Sequence, residues 1–348
     1  MHIVDSHFHY WPRSIFDWLL ARRDYPKATP NDRGAWTYVG AGGRSGTIAS
    51  WPAWYDLDKE FEHMDKLGHQ VDVISSIGPL SVCFSEFPVE TGRELATMWN
   101  EEMAAAQRKY SGRFWGTAAI PLVDTRTAIE VLDHAVLKLG LVGANLPGSV
   151  GTDARIDAER LEPFYDRVEE LGVPLLLHPT DAIFADILDG YDGALHLSLG
   201  RVVEVSVAAM RLVFSGVMER HPKLKLVMSH TGGALPYQAA RMDKNGGKAK
   251  LPSMPSIYLK RMYTDTVSPH AMGIKFAIDF YGIDHVMYGT DYPCWDPATC
   301  LRLIDEIGLS EADRQKLFID NVRRVFGIST SGARVGLIET VREGAAAY

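Results

Sequence analysis

The stretch DAERLEPFYDRVEELGVPLLLH, residues 157 to 178, contains one complete unit of a repeating plan. Asp157 to Leu171 reads as a helix, Gly172 sits just past its end, and Val173 to His178 reads as a strand that stays apolar until its last residue. A strand this apolar is buried on both faces, as in a parallel sheet covered by helices. Its final histidine then stands where the strand leaves the core.

The alternation continues in both directions. Upstream, helical spacing over Asp58 to Leu67 precedes a strand at Val71 to Ile77 and a long helix at Glu90 to Tyr110. Phe114 to Leu122, closed by Pro121, is the next strand. Thr125 to Leu139, capped by Asp124 or Thr125, is the next helix, and Leu141 to Leu146 is the strand before the quoted unit. Downstream, an excursion over 179–200 leads to an apolar helix at Val202 to Arg220 and strands at Leu224 to His230 and Met262 to Val267. A helix at Pro269 to Tyr281, a strand at His285 to Asp291, and helices at Pro297 to Ile307 and Glu311 to Phe326 follow. With the opening run Ile3 to His9, strand and helix alternate about eight times, which predicts an α/β protein folded as a (β/α)8 TIM barrel. No linker, short-period repeat or low-complexity tract divides the chain. Residues 1–348 are therefore read as one barrel domain, with 329–348 as a peripheral tail.

One segment breaks the pattern. Residues 10–55 are long, irregular and rich in Gly and Pro, yet they carry Trp11, Trp18, Trp36, Trp51 and Trp54. Long loops inside compact domains are functional or disordered, and this density of aromatics argues against disorder. The segment is read as an inserted lid or pocket wall, the alternative being an excursion whose tryptophans only anchor it to the barrel. Its GAGGRSG tract, residues 40–46, lacks the spacing and strand-to-helix setting of a phosphate loop, and its glycines point to mobility.

Composition narrows the class. Hydrophobic residues make up 46% of the chain and charged ones 23%, the balance of a soluble enzyme with a sizeable core. A net charge of -8 gives no electrostatic case for nucleic acid or an anionic membrane surface. No run approaches the ~18 apolar residues of a membrane span, and the start lacks the order of a signal peptide. Cys83, Cys294 and Cys300 have no metal-type spacing and fit a reducing cytosol, so the expected compartment is cytoplasmic.

In a barrel of this kind the reactive groups sit at the C-terminal ends of the strands. Here the first strand ends in His7 and His9, the fifth in His178, the sixth in His230 and the eighth in Asp291. Side chains alternate across a strand, so His7 and His9 face one way and can grip one ion. Imidazole and carboxylate suit zinc and other first-row divalent metals. A single histidine closing an apolar strand is ordinarily structural, but five such residues at one mouth predict a metal centre.

The motifs DSHFH at the start, HPT at His178, SHTGGALPY around His230 and YGTDYP around Asp291 resemble the amidohydrolase superfamily. Within it they are similar to the metal-dependent, oxygen-independent decarboxylases of the carboxymuconate semialdehyde and hydroxybenzoate types. The resemblance runs from His7 to about Phe326. It implies that His7, His9, His178 and Asp291 hold one divalent metal, zinc first and manganese second, with no organic cofactor. It further implies that His230 acts on water or substrate beside that metal. Binuclear relatives bridge two metals with a modified lysine on the fourth strand, whereas this strand reads LVGANL, which leaves one.

The implied reaction is loss of carbon dioxide from an unsaturated or aromatic acid, with a proton delivered to the carbon that loses its carboxylate. Asp291 and His230 are the acid and base candidates. A substrate-binding arginine is expected after the first strand, Arg44 lying nearest the expected place and Arg13 being the alternative. Hydroxybenzoate-type relatives place a glutamate three residues after the sixth-strand histidine, where this chain has Gly233 as the carboxymuconate type does. Relatives also have Phe where this chain has Cys294, which is read as a small pocket-lining residue rather than a catalytic thiol. The same resemblance implies a homodimer. The competing reading is a hydrolase of lactones or amides, or a hydratase. A barrel that only binds or scaffolds would lack ligands, and all are present.

Overall fold

A computed structural model describes residues 1–30, 36–40, 45–48, 54–150, 155–180, 185–188 and 190–328. Arg44, Trp51 and the tail 329–348 lie outside the described residues, as do positions 41–43 of the glycine tract. In chain order the strands are β1 (His2–His9), β2 (Lys27–Pro30), β3 (Trp36–Val39), β4 (Ser45–Ile48), β5 (Gln70–Ser76) and β6 (Phe114–Gly116). They continue with β7 (Ala144–Pro147), β8 (Leu175–His178), β9 (Leu226–Met228), β10 (Tyr263–Asp265) and β11 (Val286–Met287).

β1, β5 and β6 form one parallel sheet and β7 to β11 another, in sequential order. Backbone bonds join the two sheets at both seams. On one, Val142 N–H donates to Gly116 O at 3.0 Å and Ala118 N–H to Gly143 O at 2.8 Å. On the other, Ser6 N–H donates to Tyr288 O at 2.8 Å and Asp291 N–H to His7 O at 2.7 Å. The result is the expected TIM barrel, with strands shorter than their apolar runs suggest. The run from Phe114 to Leu122 leaves its ladder with β5 after Gly116 and meets the next strand again only at the Ala118–Ala144 bridge, while Ala119, Ile120 and Leu122 stay buried beyond it. Burial, not pairing, is what an apolar run reports.

Helices cover the outside, and their ends follow local chemistry. Asp56, Asp124 and Asp296 accept the N–H of the residue three positions on, and Gly172 and Gly308 end their helices at φ 63° and 72°. The helix read over Val202 to Arg220 is two helices, Arg201–Phe214 and Val217–Arg220, separated at Gly216 with φ 84°. Helices at Leu235–Gly246 and Pro255–Leu259 fill the stretch between β9 and β10, to which the sequence pattern assigns no element. Among the described residues no helix is long and apolar enough to cross a membrane.

The segment 10–55 corrects the expectation of an irregular chain. It holds a helix at Arg13–Leu20 and an antiparallel sheet β2-β3-β4, with Lys27 opposite Val39 and Trp36 opposite Ile48. Strands of four residues are too short for a period to show in the sequence. Trp11 and Trp54 are buried and stacked with centroids 4.0 Å apart, and Trp11 Nε1–H donates to Ile77 O at 2.7 Å.

Inside the barrel, Val4, Ile74, Trp115, Val142, Leu176, Val227 and Met287 pack with Val322, Val325 and Phe326 of the last helix, Asn321–Phe326. β1 needs a correction to simple alternation. Ile3 packs outward and Val4 into the lumen, so strict alternation would turn His7 out. The register slips between Asp5 and Phe8, which puts Phe8 in the outer core and leaves His7 and His9 at the lumen.

Candidate metal centre and active site

His7 and His9 come from β1, His178 from the end of β8 and Asp291 from the loop after β11. One candidate ligand atom from each lies within 4.8 Å of every other, and all four residues are buried. The ring of His7 is 5.0 Å from that of His9 and 5.2 Å from that of His178, in edge-on contact with both. Asp291 reaches the group through an unusual backbone, at φ 59°, pinned by its N–H bond to His7 O.

Each of the three imidazoles gives its Nδ1 to the protein. His7 Nδ1 bonds Asp265 Oδ2 at 2.6 Å, His9 Nδ1 bonds Ser76 O at 3.1 Å, and His178 Nδ1 bonds Pro179 O at 2.8 Å. With Nδ1–H donating, each Nε2 keeps a lone pair. His9 Nε2 and His7 Nε2 then stand 2.7 and 3.2 Å from the same Asp291 Oδ1, two acceptors against a carboxylate that only a proton or a metal cation can hold together. His178 Nε2 is buried with no hydrogen-bond partner among the described residues. Nitrogen and carboxylate donors in this number suit a divalent first-row metal.

The electrostatics agree with that donor set. Burial lowers His9 from its ordinary value, and burial with the neighbouring rings of His9 and His7 lowers His178 much further, so both are neutral. Burial would raise Asp291, but the charge on His7 and hydrogen bonding with His230 and His7 outweigh it and hold the carboxyl well below the carboxylate range. Burial would likewise lower His7, yet the carboxylates of Asp265 and Asp291 outweigh it and push the ring up to about 10. A metal must therefore displace a proton from His7 on binding.

His230 arrives differently. It follows β9 in a turn where His230 and Thr231 both have positive φ, 56° and 55°, and this turn, not strand alternation, carries the ring to the site. Its Nε2 is 3.6 Å from Asp291 Oδ2, and its side chain is 11% exposed against 3% for Asp291. His230 Nδ1 has no hydrogen-bond partner among the described residues. Three residues on, Gly233 has φ 64°, and a Cβ there would lie 2.5 Å from both Ser206 Oγ and Val202 O. A glutamate at that position would require the Arg201–Phe214 helix to move.

The other expectations divide. Trp54 stacks on His9 with centroids 5.8 Å apart, so the segment after β1 backs the site directly. Arg13 does not join it: the guanidinium lies 4.8 Å over Trp36, pairs with Asp17 at 2.9 Å, and is half exposed. Arg44 lies outside the described residues. Cys294 is exposed, with its N–H bonded to Asp291 O at 2.8 Å, whereas Cys83 and Cys300 are buried. Asn145 on β7 accepts from Ile77 N–H and donates to Thr117 Oγ1 and Ala118 O, bonds that bind it to neighbouring strands.

Two buried carboxylates were missed. Asp5 accepts from His7 N–H at 3.0 Å and from the hydroxyl of Thr290 at 2.6 Å, fastening β1 to the Asp291 loop. Asp265 bonds His7 and was hidden inside the predicted strand Met262 to Val267. The strand ends at Asp265, two residues after the lumen-packed Tyr263, a spacing that could have revealed it.

Residues 4–328 match the amidohydrolase family. A gamma-resorcylate decarboxylase from Rhizobium sp. (strain MTP-10005) is 32% identical over 250 residues, covering 67% of this chain and 76% of that protein. A 2-amino-3-carboxymuconate-6-semialdehyde decarboxylase from Dictyostelium discoideum is 26% identical over 246 residues, covering 69% of this chain and 67% of that protein. Among solved structures, a dihydroxybenzoic acid decarboxylase from Polaromonas sp. JS666, with bound manganese and the inhibitor 2-nitroresorcinol, aligns with a TM-score of 0.77. The two are 25% identical, over 93% of this chain and 96% of that one. The chain belongs to the amidohydrolase family.

Proposed function

We propose that the protein is a carboxy-lyase that removes carbon dioxide, without oxidation, from an unsaturated or aromatic carboxylic acid. The observation that carries this reading is the convergence of His7, His9, His178 and Asp291 within 4.8 Å, with His230 beside Asp291 on the more exposed side. His7, His9, His178 and Asp291 would hold one divalent ion. The manganese of the dihydroxybenzoic acid decarboxylase supports manganese as strongly as the donor set supports zinc.

When bound, that ion would polarise a substrate oxygen and so help the ring or chain accept the electron pair left by the departing carboxylate. The protein's own part is proton transfer and orientation. His230 and Asp291 face each other at the mouth, and a proton that this pair takes up from solvent passes to the carbon, whose bond to the carboxylate breaks with its electron pair kept by that carbon, so that carbon dioxide leaves. Trp54 and Trp11 form a wall behind His9, which keeps bulk water from that side. Gly233 leaves His230 without a partner carboxylate from its own turn, which fits the carboxymuconate type.

We read residues 1–348 as one barrel domain with 10–55 as its inserted wall and 329–348 as a peripheral tail, working as a cytoplasmic homodimer. Exposed apolar side chains at Ile187, Tyr191, Leu197 and Leu199 offer a surface for the second copy. Arg44 stays the proposed contact for the substrate carboxylate, and an Arg44→Ala variant with an unchanged KM would remove it.

The test is metal analysis followed by a carbon dioxide release screen on hydroxybenzoates, carboxylated muconate semialdehydes and hydroxypyridine carboxylates. Release from one of these acids is the expected result. No release from any, with hydrolysis of a lactone or hydration of an alkene instead, would overturn the decarboxylase in favour of the competing reading.

A further inference from the structure

One carboxylate beside the site serves two of its parts at once. Asp265 ends β10 and is 2% exposed. Its Oδ2 accepts from His7 Nδ1–H at 2.6 Å and from the backbone N–H of His230 at 3.2 Å. Its Oδ1 accepts from the N–H of Thr231 at 3.1 Å and of Val267 at 3.0 Å. A buried carboxylate with these donors has its hydrogen-bonding capacity taken up by the protein, so it is placed to hold other groups rather than a ligand of its own.

The two groups it holds are different in kind. The bond to His7 fixes the ring tautomer that leaves Nε2 facing His9 and Asp291. The bonds to His230 and Thr231 N–H clamp a turn in which two non-glycine residues stand at φ 56° and 55°. That backbone region is one such residues avoid unless the surroundings impose it. Charge-assisted bonds to both amides supply the restraint.

We propose that Asp265 is a positioning residue that couples the metal centre to His230, one carboxylate setting His7 for the ion and the turn for proton transfer. This rests on the reading of the site as a metal centre. Asp265→Asn cannot replace it: with the amide oxygen toward His7, the amide N–H2 meets the N–H groups of Thr231 and Val267, and turned round it meets His7 Nδ1–H. The pair is also packed tightly. A Cβ on Gly289 would lie 2.8 Å from His7 Cβ and 2.9 Å from Asp265 Cβ.

The experiment compares wild type with Asp265→Asn by competition for manganese and zinc against a chelator, by the visible spectrum of the cobalt-substituted protein, and by kcat and KM at saturating metal. The expected result is metal affinity lower by roughly 10- to 100-fold, an altered cobalt spectrum, and a reduced kcat with little change in KM. Affinity, spectrum and kcat all equal to wild type would overturn the coupling. A fall in affinity with an unchanged kcat at saturating metal would overturn the link to His230. A wild type that takes up no metal would overturn the metal-centre reading itself, a different failure. Should Asp265→Asn not fold, Gly289→Ala decides, since it keeps every polar atom and wedges a methyl group between the pair. A cobalt spectrum unchanged in that variant would sink the proposal.

Discussion

At the lower end of the barrel lumen Ile74, Leu176, Val227 and Tyr263 meet the apolar face of the last helix. At the upper end, two residues further along the same four strands, stand Ser76, His178, Ser229 and Asp265. The rise is about 6–7 Å, yet the lower layer is apolar and the upper one polar. The lower layer does what a core does, excluding water and supplying dispersion contacts. In doing so it places the upper layer against a low-dielectric floor, where each hydrogen bond and charge weighs more than it would in water. The dry floor keeps His178 neutral at neutral pH, but it works against a charge on Asp291, which stays ionised because the charge on His7 and the hydrogen bonds around the carboxylate outweigh burial.

The comparison can be broken at either end. The largest effect is expected at the top: His178→Ala should lose the metal and turnover together, by roughly three orders of magnitude or more. Metal analysis and carbon dioxide release check it, and a fully loaded, active variant would remove His178 from the ligand set. His230→Ala should keep its metal while turnover falls by about 10²- to 10⁴-fold. Near-normal turnover there would end its role in proton transfer.

Below, Phe326→Ala should cost about 3–5 kcal/mol of stability in a urea titration, while the folded fraction keeps its kcat. An equal loss of kcat would show that the two layers are not separable. The smallest effect lies at the margin, on the Leu57–Asp65 helix. Burial pushes the carboxyl of Glu60 up to about 8, and its Oε2 has no hydrogen-bond partner among the described residues. The folded protein binds that proton more tightly than the unfolded chain, so stability is lost as pH rises from the ordinary carboxyl range through about 8. Glu60→Gln should match wild type in melting temperature near pH 4 and exceed it by a few degrees near pH 8. Parallel melting curves at both pH values would contradict it.

Much of the upper layer was legible because apolar strands that end in histidine or aspartate are conspicuous: His178 and Asp291 needed only the strand pattern. Asp265 was hidden because apolar and hydroxyl residues continue past it, and a strand's last ladder bond leaves no mark in composition. The helix and small sheet after β1 were missed because four-residue strands carry too little period to read. Asp5 looked like part of a motif, while its bonds to Thr290 cross almost the whole length of the chain.

The sequence by itself determined the barrel, the side chains at its mouth and the chemistry those side chains favour, since hydrophobic period and residue type are local properties. Only the tertiary structure decided that a register slip in β1 turns His7 and His9 inward and that a left-handed turn brings in His230. It also showed one carboxylate from β10 holding both. These depend on hydrogen bonds between residues far apart in the chain, and no local pattern encodes which distant partner a backbone amide or a carboxylate will find.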